Sequence, residues 1–460
     1  MNASGIPDGG AYLHRFISSC KGACRTFSSL HPARIALFGY LSYIVVGWFA
    51  LSLPLSMEGN KVGALDNLFT TVSAISTTGL VTVSIADNYS FFGQVVILFL
   101  IQLGGIGYMT LGSFLVLAQR RELPDVRKAV SHTVFSLPEG FKIDRFILGV
   151  VFFTVFIEAC GVAAYYPCFR NANVDYPLWS SIFHSVSSFC TAGFSLYNNS
   201  FEAFAGNFWL NAVTAALGYL GAVGFIVCVD FGRIFIGSSK QVTLTTKIIL
   251  SATLALTFIG TAHLFLAEPS IQHMAPEKRI LAAFFQCMNA ITTTGFNSVS
   301  IADLSKSSVL VLTVLMIIGS SPSGTGGGIK VTSVTAVLGV MRSTINSESD
   351  VHFWGRVVPR ERIWIAVSNI GLYLIALSIG AYLLELSEMT SFEKNFFEAA
   401  SAIGTVGLSM GITSGLSTIG KIVIILLMFC GRVGPLTLST ALFGGSPEGK
   451  REESPEDIAV

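Results

Sequence analysis

The segment FTTVSAISTTG, residues 69–79, recurs three more times along the chain, as FHSVSSFCTAG (183–193), FQCMNAITTTG (285–295) and FEAASAIGTVG (397–407). Aligned on the last glycine, all four copies keep phenylalanine ten residues earlier, serine or asparagine six residues earlier (Ser73, Ser187, Asn289, Ser401) and threonine two residues earlier (Thr77, Thr191, Thr293, Thr405). The glycines are 114, 102 and 112 residues apart, about a quarter of the chain. A repeat of this period indicates four similar units arranged around one axis.

The composition is that of an integral membrane protein. Of the 460 residues, 52% are hydrophobic and only 12% are charged, whereas soluble domains carry about 25% charged residues. Eight apolar stretches are long enough to span a bilayer as helices, namely 35–55, 91–117, 145–166, 207–231, 246–267, 307–341, 362–385 and 418–442. One 11-residue repeated segment lies between the two stretches of each pair, and it is about half as long as a spanning helix. The sequence therefore predicts an all-α integral membrane protein with eight transmembrane helices and four re-entrant pore loops around a pseudo-fourfold pore.

The repeats divide the chain into six parts. We predict an N-terminal arm (1–34), repeat one (35–118), repeat two (145–232), repeat three (246–341), repeat four (362–442) and a polar C-terminal tail (443–460). Nineteen of the 28 lysines and arginines lie in the arm, in the tail and in the loops 119–145, 232–247 and 342–362, against seven in the linkers that carry the repeated segments. The positive-inside rule then places both termini in the cytoplasm and the repeated segments on the outer side of the plasma membrane.

The charged residues indicate which ions and partners to expect. Acidic residues are frequent in the outer linkers, where together they favour cations at an outer mouth, although each one by itself is explained as ordinary loop charge. The net charge is +1 and no basic patch is present, so we expect no nucleic-acid partner. Glu158, inside a predicted span, is expected to have a pairing or structural role.

A short re-entrant segment of this kind can select an ion. We expect the repeated phenylalanine to begin a short helix that enters from outside, and such a helix directs its partially negative C-terminus toward the membrane centre, where it favours a cation. The chain then returns outward in extended form, and glycine permits the positive φ and the close backbone approach which that reversal requires. Four such strands present rings of carbonyl oxygens that can replace the hydration shell of a monovalent cation. Packing of small residues between helices is the alternative explanation for any one segment, but it does not account for four copies in register.

These features resemble the KtrB/TrkH/HKT superfamily of potassium-translocating membrane subunits, over about residues 35–442. The stretch GRVGPLTL (431–438) closely matches the last-helix motif of that family. TrkH-like members carry two additional N-terminal spanning helices that this sequence does not show, which favours KtrB. By the family pattern, the residues whose carbonyls line the selectivity filter and bind potassium are Thr77, Thr78 and Gly79, Thr191, Ala192 and Gly193, Thr293, Thr294 and Gly295, and Thr405, Val406 and Gly407. We call 77–79, 191–193, 293–295 and 405–407 the filter segments.

The resemblance has further implications. All four filter glycines are present, unlike plant members that place serine in the first repeat and favour sodium, so potassium is the expected transported ion, and sodium is a second candidate as substrate or coupling ion. The resemblance implies a homodimer in the inner membrane of a prokaryote, seated on a cytosolic nucleotide-binding ring such as KtrA. Nothing in the chain resembles a nucleotide-binding domain, and no organic cofactor or catalytic residue is expected.

Two anomalies predict a gate. The stretch 319–330, which we call the glycine loop, interrupts an apolar run with five glycines and a proline, where a helix cannot persist. The predicted gate residues are Gly319, Ser320, Ser321, Pro322, Ser323, Gly324, Thr325, Gly326, Gly327, Gly328 and Lys330, together with Arg432 in the last span. A phosphate-binding loop is the alternative for the glycine loop, but the GxxxxGK[ST] order is absent. Arg432 either lies below the filter as an electrostatic barrier or extends to the inner surface from a helix end.

Two function classes stay open at this point. The first is a potassium-translocating subunit with a carbonyl filter and an intramembrane gate. The second is a secondary transporter of a larger solute, which would place charged residues on broken helices in inverted repeats. The shared orientation of the four repeats favours the first. A membrane enzyme is least favoured, because no cluster of His, Asp, Glu or Cys converges at one depth.

Overall fold

The computed structural model describes residues 32–59, 62–107, 143–237 and 241–443. Nearly all of the predicted N-terminal arm and C-terminal tail, and most of the 119–145 loop, therefore lie outside the described residues. Within the described part, each repeat is a long first helix, a short helix and a second helix. The sequence prediction of a helical membrane protein built from four such repeats is confirmed.

The first helices are the long apolar ones. They comprise Pro32–Leu51, Ile143–Asn171, Leu244–Ala267 and Arg360–Ser387, and each is long and apolar enough to cross a membrane. In every one of them, a third or less of the most apolar window is buried within the protein. Large apolar side chains such as Val46, Phe156, Phe258 and Ile379 are exposed on these helices, as expected of surfaces that face lipid.

The short helices form the core of the molecule. They comprise Ala64–Ile75, Pro177–Phe189, Pro276–Ile291 and Phe392–Gly404, and their inner ends are continuously buried. The sequence suggested that the repeated phenylalanine begins each helix, and this is wrong. Each helix starts five to nine residues earlier, because start signals such as Pro177 and Pro276 at the first turn lie outside the repeated segment. The four phenylalanines (Phe69, Phe183, Phe285, Phe397) lie inside the helices and are fully buried.

The second helices begin in the same way in all four repeats. Their N-cap residues are Ser90, Asn207, Ser305 and Ser417, whose side chains accept hydrogen bonds from the backbone N–H three residues later, at 3.1–3.4 Å. A polar N-cap satisfies one of the donors that a helix start leaves free. The return of the chain from each filter segment into its second helix is therefore fixed by a local side chain.

The second helices of repeats two, three and four are broken, and here the structure corrects the sequence analysis. Continuous spans were predicted over 91–117, 207–231 and 418–442, with an interruption in repeat three alone. Instead Phe208–Ala222 and Phe225–Phe235 meet at 94°, and Thr418–Val433 and Pro435–Phe443 meet at 93°. In repeat one, Phe91–Ile106 ends before Gly107, and the rest of the predicted span lies outside the described residues. In repeat three, Lys306–Ile317 and Val331–Ile345 flank the glycine loop.

A glycine with positive φ lies at each of the two bends, Gly224 at 87° and Gly434 at 89°. Glycine adopts this conformation at little cost, and Pro435, which has no N–H, cannot continue the preceding helix. A single glycine within an apolar run is too weak a signal for sequence periodicity to detect.

The remaining elements are short. They are the helix Ile85–Asn88, the 3-10 turns Pro54–Ser56, Glu202–Phe204, Pro269–Ile271, Ile301–Asp303 and Thr413–Gly415, and an antiparallel hairpin of His352–Phe353 and Arg356–Val357. The hairpin follows repeat three within the basic 342–362 loop. Each of the other short elements lies between a short helix and the first or second helix of the same repeat.

Candidate functional site

Each short helix ends at a threonine in the left-handed conformation. The φ angles of Thr77, Thr191, Thr293 and Thr405 are 54°, 51°, 54° and 50°. In repeat one the N–H of Thr77 donates to the carbonyl of Ala74 at 3.1 Å, and the N–H of Thr78 donates to that of Ser73 at 2.9 Å. The other three repeats form the same pair of bonds. This is the Schellman ending of a helix, which normally has glycine at the left-handed position.

The residue six positions before each glycine braces the filter segment. The hydroxyls of Ser73 and Ser401 accept the N–H of Gly79 and Gly407, both at 3.1 Å. In the other repeats, Asn289 accepts the N–H of Phe296 at 3.1 Å and the Ser187 hydroxyl donates to the carbonyl of Phe194 at 2.8 Å. The sequence pattern identified these four residues without giving them a role, and the structure supplies one.

The four filter segments form a closed ring. A Cβ placed on Gly79 would come closer than 3.0 Å to the carbonyl oxygen of Ala192 in repeat two. A Cβ on Gly193 would likewise approach the carbonyl oxygen of Thr294, one on Gly295 that of Val406, and one on Gly407 that of Thr78. Each glycine therefore lies against the carbonyl that precedes the glycine of the next repeat, and the fourth repeat closes onto the first. The ring contains backbone only, and at these four positions no side chain fits.

The glycine loop lies directly against the four filter threonines. The Thr325 hydroxyl is 3.0 Å from that of Thr191, and the N–H of Gly327 donates to the Thr293 hydroxyl at 3.2 Å. The Thr77 hydroxyl is 3.4 Å from the Thr325 carbonyl, and a Cβ on Gly327 would collide with the Thr405 hydroxyl. The loop thus covers the end of the ring at which the short helices terminate, and it contacts every repeat there.

The bend in repeat two holds the glycine loop. The N–H groups of Ser321 and Thr325 donate to the carbonyls of Ala222 and Gly221, both at 3.1 Å. In return, the N–H of Phe225 donates to the carbonyl of Ser323 at 3.3 Å. A bend of 94° removes these groups from the helical hydrogen-bond pattern, and backbone groups at membrane depth must find other partners. The backbone groups freed at the bend and those of the glycine loop therefore act as hydrogen-bond partners for each other.

Close packing explains the glycines of the loop. A Cβ at Gly319, Gly324, Gly326 or Gly327 would come closer than 3.0 Å to a neighbouring backbone or hydroxyl atom. Pro322 follows two serines in a turn, and the carbonyl oxygen of Pro322 lies close to Gly224. Lys330, at the end of the loop, donates to the carbonyl of Gly326 at 2.8 Å. The lysine side chain thus forms a hydrogen bond within the glycine loop.

Arg432 joins the last span to the glycine loop and to repeat one. Its guanidinium donates to the Thr77 hydroxyl at 3.0 Å and to the carbonyls of Thr325 and Gly104. All three partners lie at or behind the inner end of the filter segments. The guanidinium therefore lies against the ends of the filter segments at which the short helices terminate.

Glu158 is buried behind the filter segment of repeat two. Its carboxylate accepts from the amide of Gln102 at 3.1 Å, and the Cys190 thiol is 3.7 Å away. Gln102 belongs to the second helix of repeat one, so Glu158 links two repeats. The sequence expectation of a pairing or structural residue agrees with these contacts.

Several outer acidic residues serve as structural hydrogen-bond acceptors. Glu268 accepts from the N–H and the hydroxyl of Ser305, at 3.0 and 2.7 Å, and from the N–H of Ser270 at 3.0 Å. Burial by itself would raise the pKa of Glu268, but hydrogen bonds from Ser308, Ser270 and Ser305 outweigh it and lower the pKa to about 2. Asp66 pairs with Lys421 at 2.7 Å. The acidic character of the outer linkers is therefore partly explained by the architecture.

Comparison with known proteins agrees with this geometry. The family model described as "TrkH: Cation transport protein" matches residues 40–453. The chain is 32% identical to the Ktr system potassium uptake protein B of Vibrio alginolyticus, over 93% of this chain and 94% of that protein. It is 31% identical to the potassium/sodium uptake protein NtpJ of Enterococcus hirae, over 91% and 94%. The crystal structure of the potassium transporter TrkH from Vibrio parahaemolyticus superposes with a TM-score of 0.71 at 18% identity, over 91% of this chain and 86% of that one.

Proposed function

Because the chain belongs to the TrkH family of cation transport proteins, we propose that it takes up potassium across the plasma membrane through the ring of carbonyl oxygens at the ends of its four short helices. The observation that carries the proposal is the closed cyclic order of filter glycines and carbonyls, from Gly79 through Ala192 to Gly407 and Thr78. Such a ring can replace the water around a monovalent cation. The potassium uptake named for the relative from Vibrio alginolyticus supports the choice of ion.

The electrostatics of the short helices support a cation. All four helices end at the ring, so four partially negative C-termini converge on one point. The left-handed threonines direct the chain away from each helix and back outward, which leaves the carbonyls of the filter segments without helical partners. The binding residues that we propose are the filter segments 77–79, 191–193, 293–295 and 405–407.

We propose that the glycine loop and Arg432 form the gate. The loop contacts all four filter threonines, and Arg432 holds it through the carbonyl of Thr325. A cation that leaves the filter inward meets a backbone plug and a guanidinium charge. Displacing the loop would open the path, because its contacts to the threonines are hydrogen bonds and close glycine packing and involve no large side chain.

Sodium is the second candidate ion. The relative from Enterococcus hirae is named for both potassium and sodium uptake, and its identity to this chain, 31%, is close to the 32% of the Ktr relative from Vibrio alginolyticus. All four filter positions being glycine favours potassium by the family pattern. Sodium is then either a second substrate or a coupling ion.

Assembly follows the family resemblance. We propose a homodimer in the plasma membrane of a prokaryote, with both termini cytoplasmic and a cytosolic KtrA-like nucleotide-binding ring as regulator. Within the described residues, the hairpin of the 342–362 loop offers an exposed basic and aromatic surface to such a ring, with Trp354, Arg356 and Arg360 exposed. The other basic loop that we propose as a contact, 119–145, lies mostly outside the described residues.

The test is potassium uptake by a transport-deficient bacterial strain that expresses the chain with and without a KtrA-like partner. We expect saturable uptake that increases with the partner, with rubidium replacing potassium and sodium as the competitor that measures selectivity. Rubidium flux in proteoliposomes that contain the purified chain separates direct transport from effects of the host. Absence of rubidium and potassium flux in both systems would contradict the proposal.

A further inference from the structure

The residue that follows the repeated phenylalanine forms a second fourfold set. Its members are Thr70, His184, Gln286 and Glu398, and all four are fully buried. They lie nine residues before the filter glycine, on the side of the short helix next to the outgoing strand. In repeats two, three and four the side chain contacts that strand just beyond the filter glycine.

In repeats two and three this contact is made without charge. Nε2 of His184 accepts the N–H of Leu196 at 3.3 Å, and Nδ1 lies 2.7 Å from the carbonyl of Ser180, so the proton is on Nδ1 and the ring is neutral. Gln286, with its amide oxygen toward the strand, accepts the N–H groups of Ser298 and Val299 at 2.8 and 3.1 Å. Bracing the strand therefore requires an acceptor and does not require an ion.

Repeat four differs because its acceptor is a carboxyl group. Glu398 accepts from the hydroxyl of Ser409 at 2.8 Å and from that of Thr413. Ser409 lies two residues beyond the filter residue Gly407 and also accepts the N–H of Gly411 at 3.0 Å. Both partners of the carboxyl group are neutral. Among the described residues, no ion pair includes Glu398.

The helices packed against this short helix do not supply a counter-ion. They are the first and second helices of repeat four and the second helix of repeat three. Glu385 on the first helix accepts from Asn395 at 2.8 Å, and Lys421 on the second helix is paired with Asp66. Lys306, at the start of the repeat-three helix, forms no ion pair within the described residues, and neither do Glu393 and Lys394 at the start of the short helix itself. Arg432, at the inner end of the second helix, is bound by Thr77, Thr325 and Gly104.

We propose that Glu398 determines cation affinity, by holding a negative charge behind the outer strand of repeat four for which the cation in the filter is the counter-charge. This inference rests on the proposed function. A charge in a buried site is weakly screened, so it acts on an ion several ångströms away without touching it. Burial raises the pKa of Glu398 to about 7, although hydrogen bonds from Thr413 and Ser409 lower it, so the carboxyl group is ionised when a cation in the filter offsets the cost of burying its charge. The two hydroxyls also fix its position beside the strand. One repeat in four thus adds a charge to a ring that is otherwise built from neutral backbone.

The test is E398Q, which keeps the length and the acceptor and removes the charge. The residue it introduces already occupies the same position in repeat three, so the fold is expected to tolerate it. We expect the potassium dissociation constant of the purified protein, measured by calorimetry, to rise about three- to tenfold. The KM of uptake should rise in parallel while the maximal rate changes by less than about twofold.

The reciprocal variant is Q286E. The backbone N–H groups of Ser298 and Val299 suit a carboxylate as well as an amide oxygen, so this variant adds a charge at the matching position, and we expect a lower potassium dissociation constant. If E398Q leaves both constants unchanged, or if Q286E does not tighten binding, Glu398 is only a brace and the inference is overturned. Failure of the wild-type chain to bind or transport potassium would instead defeat the proposed function.

Discussion

The filter threonines occupy a conformation that β-branched residues normally avoid. A side chain such as threonine in the left-handed region costs about 1–3 kcal/mol, and such strain persists only where the surroundings over-determine it. Here the same angle occurs in all four repeats, stabilised by the Schellman hydrogen bonds and by the brace six residues before the glycine. The strain places each hydroxyl against the glycine loop and leaves the carbonyl-bearing segment extended.

The filter glycines can be tested with a control that has the same backbone angle. Gly295 and Gly411 both have a φ of 84°, but a Cβ on Gly295 would collide with the Val406 carbonyl whereas none is within 4 Å at Gly411. Each alanine substitution costs about 1 kcal/mol for the positive φ, and only G295A intrudes into the ring. We expect rubidium flux in proteoliposomes to fall at least tenfold in G295A and by less than about threefold in G411A. Equal losses would show that backbone strain and not the ring is responsible.

Repeats two, three and four all have a broken second helix, and the glycine loop is the largest of these breaks. The bends at Gly224 and Gly434 free backbone groups in the same region in which repeat three opens into a loop. The groups freed in repeat two bond to the loop, and the last span contributes Arg432 immediately before its own bend. The proposed gate thus combines residues at breaks in three different helices.

Arg432 contacts these elements, and two substitutions separate the effect of its charge from the effect of its hydrogen-bonding geometry. R432Q removes the charge and most of the donors, so we expect rubidium flux to rise about threefold or more, because both the barrier and the bond to Thr325 are weakened. R432K keeps the charge but loses the planar fork that reaches three acceptors. We expect its flux to lie between those of wild type and R432Q, measured per amount of reconstituted protein. Unchanged flux in R432Q would exclude Arg432 from the gate.

At the scale of the molecule, outer contacts between repeats close the ring. Asn198 binds both Ser84 and Asp87, joining repeats one and two, at 2.6 and 2.9 Å. Asn297 donates to Glu202 at 2.7 Å, joining repeats two and three. The ion pair between Lys421 and Asp66 joins repeat four to repeat one, 355 residues apart in sequence. This ion pair adds to the contacts of Arg432 with Thr77 and Gly104 that also join repeat four to repeat one.

The closing ion pair should contribute measurably to stability. Its side chains are only 18% and 20% exposed, whereas the Arg360–Asp350 pair in the 342–362 loop is 72% and 39% exposed. We expect a double-mutant cycle of K421M and D66N to give a coupling of about 1 kcal/mol or more in thermal unfolding in detergent, and the cycle of R360M and D350N to give about 0–0.5 kcal/mol. Similar couplings for the two pairs would mean that ring closure does not depend on this contact.

The sequence alone predicted the four repeats, the order of their helices and the residues of the candidate filter. These inferences depend on composition and on a local pattern that recurs at a fixed offset, such as Thr77 and Gly79. The bends at Gly224 and Gly434 were not predicted, because one glycine in an apolar run resembles ordinary helix packing. The start of each short helix was misplaced, because its signals lie outside the repeated segment.

What the sequence determined by itself is the unit, a short helix that must end at a threonine and reverse at a glycine, since those requirements are local. The way in which four units meet depends on contacts between distant parts of the chain. The carbonyl of Ala192 lies against Gly79, the glycine loop bonds to the groups freed by the bend in repeat two, and Arg432 reaches Gly104 across 328 residues of chain. Each of these contacts joins distant parts of the chain, and their partners are fixed only when the ring has closed and every buried backbone group must find one.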